Sequence, residues 1–416
     1  MTGDPMTPSN LQKKPQNPYQ VIFSNGFRPL FLCAGAFALV ALGWWAGYLK
    51  GWLSAPTSHL NPVYWHGHEM LFGLVGAAIG GFLLAAVANW TGRSPVQGTP
   101  LTLLVGSWLL GRGVMLSNGA LPELLVLGVD SLYWVLLTAL VGREIWISGN
   151  RRNLKVIVIL GLFGFFNLLF HAQSLVDSAS LNLRELGIRG ALMLICLMIT
   201  LIGGRIIPAF TRNWLKLNRP QVVQLPPEFN RWDAAAAGAT LIMALSWILA
   251  PAAAMTAVLA ILAGTLQLIR LARWCGLKVV TEPLLFALHL GYGWLGLGFI
   301  LLGLSTLVTA ITPSAGVHAL ALGAMAGLIL PVAARAALGH TNRVVSAGPL
   351  MSCVFVLIHL AALLRVLATL PSLWSGELLS AAALCWLAAF GLFCVRYVPI
   401  LLLPAAPTLH SPLRSR

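Results

Sequence analysis

Six histidines stand inside long apolar stretches of this 416-residue chain: His66, His68, His171, His289, His318 and His359. Neutral imidazole is a ligand for copper, zinc and haem iron, and imidazoles from separate helices can converge on one ion inside a bundle. The densest stretch is Trp65-His66-Gly67-His68-Glu69-Met70. On a regular helix His66 and Glu69 are three apart and share a face, so the carboxylate can orient that imidazole. His68 points about 200° away from His66, so both reach one metal only if this turn is irregular, which Gly67 allows. Arg112, Asp130 and Arg365 are further ionisable residues in apolar surroundings, where a charge marks either a functional site or a structural pair. Arg112 with Asp130 reads as a structural ion pair across a helix hairpin. A lone histidine in a membrane can equally be a hydrogen bond to a neighbouring helix. Both readings stand at this point.

The elements that must position these groups follow from composition. Hydrophobic residues make up 58% of the chain and charged ones 9%, against about 25% charged in a soluble domain. So few charges cannot cover a soluble protein of this size, and the remaining surface must face lipid. A span needs about 20 mostly apolar residues to cross the hydrocarbon. By that rule the spans lie near 29–49, 64–88, 100–117, 121–147, 154–176, 186–208, 232–250, 253–274, 284–311, 315–337, 346–370 and 374–403. Pro251 and the stretch Thr312-Pro313-Ser314 break runs that would otherwise be too long for a bilayer. The expected fold is therefore all-α, a single polytopic bundle of about twelve helices over 29–403. It divides six and six at a basic loop near 209–231, with tails at 1–28 and 404–416.

Lys and Arg recur in alternate loops, which puts both tails in the cytoplasm; only Lys50, Arg184 and Arg189 fall in outer segments. On this topology His66, His68, Glu69 and His318 occupy the first turns at the outer membrane face. His171, Arg112 and Arg365 lie roughly 8 Å deep, Asp130 about 13 Å deep, and His359 nearer the midplane. His289 sits alone near the inner end of the ninth helix. His59 falls in an outer loop, and His340 and His410 are expected in water. The net charge of +15 is dispersed in short groups between apolar runs, so it reads as membrane orientation rather than nucleic-acid binding. The six cysteines form no C-x-x-C pair, which argues against a zinc knuckle or covalent haem attachment. No apolar segment precedes Pro29, so a cleaved signal peptide is not expected. No P-loop or nucleophile constellation occurs. The Gly-Gly pairs at 80–81 and 203–204 suit close helix packing.

Several blocks, in order, resemble the NnrS family of bacterial membrane proteins: Phe23-Ser24-Asn25-Gly26-Phe27-Arg28-Pro29, the His66 block through Gly73, and Asn89-Trp90-Thr91-Gly92-Arg93. Gly203-Gly204-Arg205-Ile206-Ile207-Pro208, Leu288-His289-Leu290-Gly291-Tyr292 and the run from His318 to Arg343 complete the similarity. The blocks contain His66, His68, Glu69, Arg205, His289, His318 and His340, whereas His171 and Arg365 lie in less distinctive stretches and His359 in none. Asn342 stands where a glycine is expected.

The resemblance implies a haem- and copper-containing protein of the bacterial inner membrane, linked to denitrification and the nitric oxide response, with no settled reaction. On this reading His66, His68 and His318 are copper ligands and His171 an axial ligand of a non-covalent b-type haem. His289 marks a second site, with Glu69, Arg112, Asp130, Arg205 and Arg365 in support. Nitric oxide or an iron–nitrosyl species is the expected ligand, and lipid the surrounding partner. Two other classes remain open: a secondary transporter of a small anion or metal–nitrosyl complex, and a sensor or accessory subunit whose basic loop docks a partner.

Overall fold

The computed structural model describes residues 17–57, 60–117, 119–176, 181–371 and 373–407. His59, His410 and most of both expected tails lie outside the described residues. All the regular elements among them are helical. Twelve helices are long and apolar enough to cross a membrane. They are α1 Phe27–Leu49, α2 Pro62–Thr91, α3 Thr99–Leu116, α4 Glu123–Ile147, α5 Arg151–Ala172 and α6 Leu183–Asn218. The second six are α7 Arg231–Leu249, α8 Ala254–Ala272, α9 Pro283–Leu307, α10 Pro313–His340, α11 Gly348–Leu367 and α12 Ser375–Leu402.

Local chemistry explains where these helices begin. Proline occupies the first turn of α2, α3, α9, α10 and α11, where its missing N–H costs nothing and its fixed φ suits the helix. Asn61 caps α2 by accepting from the Val63 N–H at 2.9 Å. Asn230 and Asp233 form a reciprocal capping box at the start of α7. The sixth helix runs ten residues beyond the span expected at 186–208, to Asn218. Hydropathy marks only where lipid ends. The helix continues because Ile207, Thr211 and Leu215 keep a buried stripe at four-residue spacing while Lys216 faces outward. The loop expected at 209–231 thereby shortens to 219–230.

Consecutive helices pack as antiparallel neighbours, and α12 returns to close against α1. The centre is occupied by α2, α6 and α10, with α6 touching both of the others. The most apolar window of α2 is 83% buried, against 28% for α12 on the periphery. These three central helices share a further feature, found at every fourth span. Each contains a stretch of wide π-helical turns: Glu69–Val75 in α2, Ile199–Gly203 in α6 and Ala319–Ala326 in α10. Such turns loosen the i→i−4 ladder and rotate the residues beyond them, and they are frequent at functional sites. Two of them begin directly after a candidate ligand, His68 or His318. The Gly-Gly pairs do serve close approach: a Cβ on Gly80 would strike the Tyr133 hydroxyl, and one on Gly204 the Arg270 guanidinium.

Candidate functional site

A polar cluster is sealed between α2, α3, α4 and α5. Its centre is Asp130, whose Oδ2 accepts from Asn167 Nδ2 at 2.9 Å and His171 Nε2 at 3.0 Å and faces His68 Nε2 at 3.2 Å. Asp130 Oδ1 accepts from Arg112 Nη2. Glu69 Oε1 receives Arg112 Nη1 at 2.6 Å and His68 Nδ1 at 2.9 Å. His68, Glu69, Arg112, Asp130, Asn167 and His171 are all buried. Charges taken out of water persist only when fully paired, and the hydrogen bonds show how this set balances. Asn167 donates its amide to Asp130 and to Ser131 Oγ, so its carbonyl oxygen is left to accept from His68 Nε2 at 2.9 Å. Both ring nitrogens of His68 therefore face accepting oxygens, the arrangement of an imidazolium. Two carboxylates then balance one guanidinium and one imidazolium.

Arg112 is further held by the faces of Trp108 and Phe37, at 5.8 and 5.9 Å. Two carbonyls along the wide turns of α2 take side-chain donors from its neighbours: Gly73 O accepts from Trp108 Nε1 at 3.0 Å and Gly76 O from the Tyr133 hydroxyl at 2.9 Å. The expected Arg112–Asp130 pair is thus present, within a larger network. Glu69 binds His68 and Arg112 rather than His66: its backbone keeps α register with His66, and the carboxylate turns to the Arg112 guanidinium presented by α3. One signal for Asn167 was visible in the sequence. It is an amide four residues before His171 in an otherwise apolar run, so the two share the polar stripe of α5.

His66 takes the other side of α2, since Pro62–His68 is regular α-helix. With His318 it lines a cavity of about 1480 Å³ walled mainly by apolar residues of α1, α2, α6, α10 and α12, into which Arg365 of α11 also faces. The His66 ring stacks on Trp45, with centroids 4.5 Å apart and planes 11° from parallel, and its buried Nδ1 has no hydrogen-bond partner among the described residues. His318 Nδ1 lies 2.8 Å from its own helix's Ser314 O and 3.1 Å from Ser314 Oγ. Donation to a backbone carbonyl fixes the tautomer and leaves Nε2 with its lone pair available, as in metal-ligating histidines.

Four of the candidate histidines are thus divided into two places, His68 with His171 and His66 with His318. His289 is separate: buried near the start of α9, it places Nδ1 3.0 Å from Leu285 O and Nε2 3.3 Å from Thr211 Oγ1. Arg205 is exposed on α6, and His359 lines neither place. His340 is exposed at the end of α10 and stacks on Phe27, centroids 5.3 Å apart. The structure adds a second buried network that sequence reading missed. Arg270 donates Nε to Asp233 Oδ1 at 2.6 Å and Nη1 to Thr200 O and the Tyr292 hydroxyl at 2.8 and 2.9 Å. Tyr292 in turn donates to Gln267 Oε1 at 2.6 Å.

Two ligands near 2 Å from a tetrahedral metal lie about 3.3 Å apart, close to the spacings around Asp130 Oδ2. His68, Asp130 and His171 each offer a ligand atom, and these atoms all lie within 4.8 Å of one another. Two imidazoles with one carboxylate form a donor set that copper, zinc or iron accepts.

A twelve-span helical membrane protein with histidines gathered on either side of its central helix α2, in one buried cluster and one cavity, is the class that fold and site define. Within that class the match is particular: the family described as NnrS protein covers residues 21–404, and the chain belongs to the NnrS family. No curated protein matches the chain.

Proposed function

We propose that this chain is a haem- and copper-binding protein of the bacterial inner membrane, with both tails cytoplasmic, acting in the nitric oxide response associated with denitrification. The observation that carries the reading is the pair His66 and His318, presented from two central helices into one large apolar cavity. Small-molecule pockets of about 300–1,000 Å³ are typical, so this cavity is ample for a porphyrin. His66 with its unpartnered nitrogen and His318 with its tautomer set by Ser314 fit haem iron, and no covalent attachment motif accompanies them. His68, Asp130 and His171 fit copper. When bound, these metals supply affinity for a small neutral gas that partitions into lipid and reaches the bundle without a water channel. The protein's own groups do the holding. Ser314 orients His318, Trp45 stacks against His66, and Glu69 with Arg112 fixes His68 and Asp130.

Protein purified from haem-replete, copper-supplied cells is expected to show b-type haem bands and bound copper. His66→Ala and His318→Ala should lose haem and keep copper, and His171→Ala the reverse. A colourless, copper-free preparation overturns the reading. A cavity of this size also suits the substrate path of a secondary transporter. Uptake of a small anion or metal–nitrosyl complex into proteoliposomes, unaffected by His66→Ala, would favour that alternative.

A further inference from the structure

Arg365 differs from the guanidiniums at the centre of the two buried networks. Arg112 is paired with Glu69 and Asp130, and Arg270 with Asp233. Arg365 is partly buried within α11, yet among the described residues it has no acidic partner. Its one hydrogen bond runs from Nη2 to Ser314 Oγ at 3.2 Å, and Ser314 is the residue that engages His318. The cavity it faces also takes in Lys50, Arg189 and Glu185. Glu185 pairs with Arg189 at 3.3 Å and Lys50 is exposed, so Arg365 is the half-buried cation on this wall without a counter-charge among the described residues. A guanidinium in a lipid-spanning segment is costly and calls for a counter-charge. The cavity that Arg365 lines can admit one with a ligand.

We propose that Arg365 is the anchor for a carboxylate of the cavity's ligand, so that the site selects a porphyrin bearing free carboxylates. The inference rests on the haem reading above and names the group that sets its specificity. The flat macrocycle meets the apolar walls, the iron meets His66 and His318, and a peripheral carboxylate meets the planar fork of Arg365, which matches carboxylate geometry better than an ammonium does. Ser314 ties the two recognition events together, since its hydroxyl contacts both Arg365 and His318. Arg365 therefore positions the ligand edge while the histidines hold its centre.

The test compares two probes on the full-length protein in detergent: haem b and its dimethyl ester, which has the same macrocycle without the charges. Haem-free protein is loaded with each, and loss to an excess of apo-globin is followed by absorbance. A charge-assisted hydrogen bond contributes about 1.5–3 kcal/mol, or roughly 10- to 100-fold in retention. Wild-type protein is expected to retain haem b at least about tenfold longer than the ester. Arg365→Gln should abolish that preference without moving the absorption bands, and Arg365→Lys should restore part of it. Equal retention of both probes by wild-type protein overturns the anchor while leaving the haem reading intact, and this arm needs no variant to fold. A fall in retention by the same factor for both probes in Arg365→Gln, with the preference kept and the bands shifted, also overturns it, since Arg365 would then act only through His318. Wild-type protein that takes up neither probe overturns the haem reading, and the anchor with it.

Discussion

Two buried networks in this bundle look alike in outline and differ in what they leave over. Each is built around an Arg–Asp pair beside a wide-turn segment, Arg112–Asp130 at α2 and Arg270–Asp233 at α6. In the α6 network Arg270 spends its donors on Asp233, on the Thr200 and Gly204 carbonyls of the loosened turn and on Tyr292. Gln267 absorbs the remainder through Thr240 and Tyr292. That set centres on one carboxylate, which Arg273 also approaches at 3.7 Å, and it contains no histidine. The α2 network adds a second carboxylate and two imidazoles. It balances only when His68 carries a proton, and that proton is replaceable by a metal ion. A buried ion pair alone therefore marks a brace. The surplus of exchangeable ligands marks a site.

The comparison breaks most sharply if the brace proves dispensable. Removing one member of a buried pair costs about 3–5 kcal/mol, so Arg270→Met should lower thermal stability in detergent strongly. Metal bound per folded molecule should stay unchanged, as read by elemental analysis of the surviving monodisperse fraction. Loss of copper at unchanged stability would invert the assignment of the two networks.

A large effect of the opposite kind is expected at the α2 network. Changing a group that orients a metal ligand typically costs 10- to 100-fold in affinity, so Glu69→Gln should weaken copper retention on that scale, measured by competition with a chelator. Chelation of the copper in wild-type protein should in turn leave the fold intact, because the cluster is charge-balanced without the ion. Unfolding on chelation would make the metal structural.

Smaller changes sharpen the picture. Asn167→Leu deletes one acceptor for His68 and one donor to Asp130, at about 1 kcal/mol per lost hydrogen bond in a membrane interior. Differential scanning fluorimetry should show a modest fall, with no change in haem bands. Trp45→Leu removes the ring against His66, an aromatic contact of about 0.5–1.5 kcal/mol. It should accelerate haem loss slightly and leave copper untouched.

Much of this arrangement was readable from residue types alone. Hydropathy and proline placed eleven of the twelve spans within a few residues of their observed ends, α6 alone running ten residues further, and the hairpin pairing of Arg112 with Asp130 followed from their depths. The opposite directions of His66 and His68 followed from two residues of helical rotation, and they are what separates the cavity from the cluster. The transfer of Glu69 from His66 to His68 was not legible. It depends on Arg112 arriving from α3 beside that carboxylate, which nothing in Glu69-Met70-Leu71-Phe72-Gly73 announces. Arg270 was counted among the basic residues of an inner loop, yet it is 1% exposed. A charge at the end of an apolar run can face either water or the bundle, and the difference lies with its partners on other helices.

Composition, apolar run length and helical period are properties of the chain itself, so they determined a lipid-spanning bundle of twelve helices and the angular position of each histidine on its own helix. Which histidines meet is a property of how α2, α5 and α10 are rotated and staggered against one another. That rotation is set by close glycine contacts and by wide turns that neighbouring side chains stabilise. Only the tertiary structure decides it, because the energies involved reside between helices rather than along any one of them.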